Sequence, residues 1–182
     1  MNKIHFQNYE SQFGTLKLAS YKDQLCLCDW VYRKMRLQID RRLTEGLDSE
    51  FIESDSDVIN ESRLQMEEYF SGQRKIFTIP LLMIGSPFQQ SVWEKLITIP
   101  HGKTETYLGL SKQLNNPMAI RAVAAANGAN AISILIPCHR IIGSRGELVG
   151  YAGGLAVKKR LLDLEKGKDK NWELFDGTDQ LI

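Results

Sequence analysis

The sequence predicts an α/β N-terminal domain followed by a mainly α C-terminal domain that carries a helix-turn-helix. Three observations lead there. Strand-like runs crowd the first thirty residues, two short helical segments flank Asn115-Asn116-Pro117, and the charge changes sign near residue 85. Residues 1–84 hold 11 Lys/Arg against 13 Asp/Glu, residues 85–168 hold 11 against 5, and residues 169–182 hold 1 against 4. The expected division is therefore 1–80 as a small scaffold, 85–168 as a basic working domain, and 169–182 as an acidic tail. A basic segment inside a chain of net charge +1 suits a polyanionic partner.

Taken in order, Ile4–Tyr9, Thr15–Tyr21 and Gln24–Trp30 read as strands separated by Gly14 and the Lys22-Asp23 turn. Cys26 and Cys28 alternate with Leu25 and Leu27, which predicts that both point to one face of a central strand. With His5 they fall short of a four-ligand metal set, so core packing is the expectation. The polar stretch Thr44–Asp57 reads as a loop, Val58–Phe70 as a helix stopped by Gly72, and Ile76–Ile79 as a strand before Pro80. Leu81–Ser86 reads as a linker. Ser86, Pro87 and Gln89 then make a helix start, with cap, first-turn proline and capping-box partner.

Thr106 is placed to cap a short helix running to Leu114, and Pro117 to open a second one that stops near Gly128. This second helix is rich in alanine, with Arg121 its only charge. A helix that reads major-groove base edges needs several Arg, Asn or Gln side chains. Small side chains instead allow close approach to a minor groove with little sequence reading; simple burial between neighbours is the plainer alternative. Beyond it, Ala131, Ile132, Ile134, Leu135 and Ile136 read as a buried strand ended by Pro137. Cys138, His139 and Arg140 follow at once. A thiol beside a base and a cation is a candidate nucleophile, because only the thiolate reacts. In extended backbone Cys138 and His139 would face opposite sides, so a bridging water is the natural link between them.

With these motifs in view the chain resembles the O6-alkylguanine-DNA alkyltransferases. The resemblance runs from Ser86 to Lys168. It rests on Phe88-Gln89-Gln90-Ser91-Val92-Trp93, Ile99-Pro100-His101-Gly102-Lys103-Thr104-Glu105-Thr106-Tyr107, Arg121-Ala122-Val123, Asn127-Gly128, Ile136-Pro137-Cys138-His139-Arg140, Gly150-Tyr151-Ala152-Gly153-Gly154-Leu155 and Leu161-Leu162-Asp163-Leu164-Glu165. It implies an RNase H-like N-terminal scaffold and a winged-helix-like C-terminal domain. The implied activity is direct-reversal DNA repair: irreversible, single-turnover transfer of the alkyl group from O6-alkylguanine, and from O4-alkylthymine, to Cys138 of the protein itself. No metal or organic cofactor is implied.

The resemblance assigns Cys138, water, His139 and Glu165 to a proton relay, and Tyr107 to proton donation toward the leaving guanine. Asn130 would tie the helix-turn-helix to the reactive segment. Tyr151, Ala152, Gly153 and Ile142 would form the base pocket. Arg121 would fill the gap left by the flipped nucleotide, with Ala119, Ala122, Thr106 and Arg140 beside it on the DNA surface. Ala131, Ala124 and Thr106 stand where the family more often has proline, glycine and serine, and none is a reacting group. The implied partner is double-stranded DNA carrying alkylated bases, bound through the minor groove with low sequence specificity by a monomer.

The rival from another class is a non-enzymatic sensor that binds flipped lesions and recruits other factors; Cys138, His139 and Glu165 together argue against it. A cysteine hydrolase would leave the helix-turn-helix unexplained. No basic-then-apolar leader and no apolar run of about 18 residues is visible, so a cytoplasmic protein without a membrane span is expected.

Overall fold

The computed structural model describes residues 3–168. The acidic tail expected over 169–182 lies outside the described residues. A four-stranded sheet opens the chain, formed by β1 (Ile4–Ser11), β2 (Gly14–Tyr21), β3 (Gln24–Trp30) and β4 (Phe51–Glu53) in the order β3-β2-β1-β4. The first three strands pair antiparallel and β4 runs parallel to β1. Helix α1 (Arg36–Leu47) covers one face through Ile39 and Leu43, and α2 (Asp57–Phe70) packs against β2 and β3.

Four expectations need correction here. Helix α1 fills a stretch with no expected element, although Ile39, Leu43 and Leu47 recur at helical spacing among charged neighbours; its last turn and β4 occupy much of the stretch expected to be loop. Residues 76–79 form no strand; a bridge forms instead between Leu81 and Leu25. Cys26 and Cys28 do not share a face. The register between β2 and β3 shifts at Ala19/Ser20, leaving Cys26 as the extra residue of a bulge. Cys26 therefore packs with Leu27 on the α1 side, whereas Leu25 and Cys28 join the core shared with the second half. Finally, residues 131–136 are no strand but a tight turn, with Ile132 bridged to Cys28 and Ser133 bridged to Ile136.

The C-terminal half is built from α3 (Pro87–Ile97), β5 (Glu105–Thr106), α4 (Tyr107–Gln113), α5 (Ile120–Gly128), a single 3-10 turn (Cys138–Arg140), β6 (Ile141–Ile142) and α6 (Leu155–Glu165). The capping box at Ser86 and Gln89 forms as expected, and Thr106 caps α4 through the Gly109 amide at 2.9 Å. Helix α5 begins three residues after Pro117, with Asn115 in the left-handed region to make the turn.

The open edge of β3 joins the two halves. Cys28 donates its amide to Ala131 O at 3.0 Å and accepts the Ser133 amide at 2.6 Å, while Leu25 brackets the linker through Pro80 O and the Leu82 amide. An exposed strand edge is thereby capped by the very turn that precedes Cys138. One apolar core runs through both halves, from Leu16, Trp30 and Met66 to Trp93, Val123 and Leu161.

Candidate active site

Asn130 organises the approach to the reactive segment. Its carboxamide donates to Ile132 O at 3.3 Å and Ile136 O at 3.0 Å and accepts the Ile132 amide at 2.9 Å. The loop it closes holds Ile134 at φ 74°, a conformation that costs a β-branched residue about 1–3 kcal/mol. Such strain persists only where the surroundings over-determine it, and here buried apolar side chains and the Asn130 bonds do so. The turn delivers Cys138 onto a 3-10 turn rather than extended backbone, so strand alternation does not govern where Cys138 and His139 point.

Cys138 is 4% exposed. Burial pushes its thiol pKa up, and a hydrogen bond from Asn130 and the charges of Arg33 and Lys158 only partly offset this. The resting group is a thiol that needs a base. His139 is fully buried, with Nε2 2.8 Å from Glu165 Oε1, and its Nδ1 has no hydrogen-bond partner among the described residues. Burial lowers the imidazole pKa, and Arg140 and Lys158 reinforce this against the pull of Glu165. A neutral ring donating Nε2–H to Glu165 leaves a lone pair on Nδ1, which is what proton acceptance requires.

Glu165 is the most densely bonded side chain of the site. Burial alone would raise its pKa, but hydrogen bonds and charge from His139 and Arg140 outweigh that and hold the carboxyl well below its usual range. It accepts from Arg140 Nε and Nη2 at 2.8–3.1 Å, from Tyr69 Oη at 2.7 Å and from the Gly102 amide at 2.9 Å. Arg140 is 6% exposed and also binds Ile99 O. The DNA-surface role expected for Arg140 is thus corrected: its guanidinium faces inward and fixes Glu165 as an anion.

A cavity of about 530 Å3 adjoins the thiol, lined by Tyr107, Asn127, Asn130, Tyr151, Ala152 and Gly153 among others. Ile142, expected in the base pocket, is not among the lining residues; it pairs with Thr106 in the two-residue ladder of β5 and β6. Burial and the nearby Cys138 raise the Tyr107 pKa, so it is a neutral phenol able to donate. Arg121 and Ala122 are exposed on α5, Ala119 is half-buried just before it, and Thr106 is half-buried with its hydroxyl engaged as a cap.

Several working residues carried no chemical signal in the sequence. Tyr69 lies in an amphipathic helix of the first half, where its ring looks like core. Lys158 is completely buried and donates to Ile141 O and, at 2.7 Å, to Val149 O, tying the glycine-rich loop to β6; burial lowers its pKa to about 8. Trp30 donates to Tyr151 Oη at 3.3 Å, and its indole leaves no room for a side chain at residue 153, where a Cβ would sit 2.6 Å away. Asp29, fully buried, pairs with Arg33 at 2.8 Å and Arg36 at 2.9 Å and accepts from Ser133 at 3.0 Å. Arg33 in turn donates to Asn130 O and Gly128 O.

A buried thiol next in sequence to a histidine-carboxylate pair, opening on a cavity beside a helix-turn-helix, is the arrangement of a candidate cysteine nucleophile next to a DNA-binding element. Sequence comparison makes this specific. Residues 87–167 match the DNA binding domain of 6-O-methylguanine DNA methyltransferase and residues 4–83 match its ribonuclease-like domain. The chain belongs to the 6-O-methylguanine DNA methyltransferase family. It is 37% identical over 162 residues to the methylated-DNA--protein-cysteine methyltransferase of Methanosarcina acetivorans, covering 89% of this chain and 98% of the relative. The corresponding Mycobacterium leprae protein is 40% identical over 166 residues, covering 90% and 93%. The crystal structure of Mycobacterium tuberculosis OGT in complex with DNA superposes with a TM-score of 0.77 at 34% identity, covering 90% of this chain and 94% of that one.

Proposed function

We propose that Cys138 is the alkyl acceptor. The chain is a methylated-DNA--protein-cysteine methyltransferase, acting by direct reversal. The observation that carries the assignment of the acceptor is the thiol of Cys138 at the cavity with His139 and an ionised Glu165 behind it. Cys26 and Cys28 are fully buried away from that cavity, and burial raises both thiol pKa values, that of Cys26 to about 12.

In the proposed step the Cys138 proton passes to His139 Nδ1 through a bridging water, and Glu165 stabilises the imidazolium. The sulfur attacks the alkyl carbon, the carbon–O6 bond breaks, and the departing guanine takes a proton from Tyr107, whose phenol is restored from the imidazolium. A thioether remains, with no hydrolytic route back, so each molecule acts once. Arg121, Ala119, Ala122 and Thr106 belong to a face that enters the minor groove of duplex DNA as a monomer, with little sequence preference. Exposed Arg121 on an otherwise small-residue helix supports this reading.

The test is mass spectrometry after incubation with a duplex containing O6-methylguanine. One added methyl group on the peptide containing Cys138 is expected. Modification at Cys26 or Cys28, or repeated turnover, would overturn the assignment, and lesion binding without transfer would establish the sensor alternative.

A further inference from the structure

The outer wall of the cavity comes from the first half of the chain. Tyr32, Arg33, Lys34 and Met35, in the loop between β3 and α1, line the same space as Cys138, Tyr107 and Gly150. This wall is anchored at both sides. Tyr32 Oη donates to Gly153 O at 3.2 Å, and Arg33 binds Asn130 O at 2.7 Å as well as Gly128 O. The loop is therefore part of the pocket's built shape, and what it presents to the space bears on which substrates fit.

It presents unbalanced positive charge. No carboxylate is among the residues lining the cavity. Arg33 is 8% exposed and fully engaged with Asp29 and the two carbonyls. Asp29, behind the wall, is already shared by Arg33, Arg36 and Ser133. Lys34 differs: it is exposed, and among the described residues it has no hydrogen bond or ion pair. A flexible ammonium with three donors thus stands on the wall of the cavity that the alkyl group must enter, without an internal anion to meet it. A methyl group has nothing to offer such a cation, whereas a substituent ending in a carboxylate does.

We propose that Lys34 is a specificity-determining residue of this site, raising reactivity toward O6 substituents that carry a carboxylate relative to O6-methylguanine. The proposal rests on the alkyl-transfer reading above. The chemistry is the same displacement. The Cys138 sulfur bonds to the methylene carbon, the carbon–O6 bond breaks, and the thiol proton ends on guanine, leaving S-carboxymethylcysteine. The carboxylate is a spectator that Lys34 pairs with while the methylene lies at the sulfur. Because the anion would otherwise approach a thiolate of like charge, the cation compensates where repulsion is greatest.

An exposed lysine near a DNA site could equally meet a backbone phosphate, so the experiment separates the two anions. Two duplexes of one sequence, bearing O6-methylguanine or O6-carboxymethylguanine, are reacted under single-turnover conditions, and the ratio of the two rate constants is the readout. Phosphate contacts are common to both duplexes and cancel in the ratio. Lys34→Gln should lower the carboxymethyl-to-methyl ratio by roughly fivefold to tenfold, ~1–1.4 kcal/mol, and Lys34→Glu should lower it further. An unchanged ratio, or equal loss on both duplexes, overturns the proposal in favour of a phosphate contact or no role. Wild-type protein that reacts with the methyl duplex but not with the carboxymethyl one overturns the proposal and leaves the alkyl-transfer reading standing. Failure on both duplexes removes that reading as well.

Discussion

At the scale of single residues, the site separates the nucleophile from the charge that activates it. Burial holds Cys138 as a thiol, while Arg140, Tyr69 and Gly102 hold Glu165 as a carboxylate before any reaction begins. In the proposed relay the thiol proton stays within the site on His139, so the reactive pair does not depend on bulk pH while the imidazole is neutral and the thiol protonated. Because burial lowers the His139 pKa and raises that of Cys138, alkyl transfer should be level through neutral pH and slow on acidification, as His139 takes a proton from solvent. A rate that climbs steadily from pH 7 to about pH 9 would mean that the proton leaves to solvent and not to His139. Tyr69 offers a second check, since its hydroxyl reaches the relay from the other half of the chain. A hydrogen bond to a charged group is worth about 1.5–3 kcal/mol, so Tyr69→Phe should slow transfer by roughly tenfold with DNA affinity unchanged. Parallel loss of affinity would indicate a general folding defect instead.

The linkage at Glu165 has a definite sign. Its folded pKa lies below the unfolded value of about 4.3. The stability it contributes is complete above that pH and is lost as the pH falls through the lower, folded value. Urea denaturation should show this as a midpoint that drops on acidification below about pH 4, more steeply in wild type than in Glu165→Gln. Equal slopes would mean that another carboxyl governs the acid limb.

At the scale of elements, α5 and the turn after it do different work through Asn130. Helix α5 exposes Arg121, and Asn130, two residues past its end, braces the loop that presents Cys138. If Arg121 fills the vacated base stack, its contribution exists only when a nucleotide must be flipped, at a cost of a few kcal/mol. Arg121→Ala should slow repair of duplex DNA by at least tenfold while a free O6-alkylguanine base reacts almost normally. Equal slowing on both would assign Arg121 to the pocket or the fold.

At the scale of the whole molecule, the first half is a structural component of the site. Asp29 and Arg33 reach across to Ser133, Asn130 and Gly128, and β3 lends its edge to the turn before Cys138. Removing one partner of a buried ion pair leaves an uncompensated charge and costs about 3–5 kcal/mol. Asp29→Ala should lower the urea midpoint accordingly and broaden the reactivity of Cys138 toward small thiol reagents, as the turn loosens. Unaltered stability would show that Arg33 and Arg36 find solvent without penalty. Among the described residues no helix is long and apolar enough to cross a membrane.

The sequence by itself determined the outline and the chemistry. The strands before residue 30, the capping box and turns of the C-terminal half, and the candidacy of Cys138 and His139 were legible because each depends on local pattern or on adjacency, whereas Glu165 was reached through the family resemblance. Tertiary structure decided what local pattern cannot carry. A one-residue bulge at Cys26 put the two cysteines on opposite faces, because strand alternation holds only while register does. The apolar run 131–136 became a turn rather than a strand, since its backbone partners are the edge of β3 and the Asn130 carboxamide. Arg140 moved from surface to interior because a buried carboxylate needs a buried cation. Tyr69, Asp29, Arg33 and Lys34 reached the site from the other half of the chain, a proximity that only the packed interface between the halves creates.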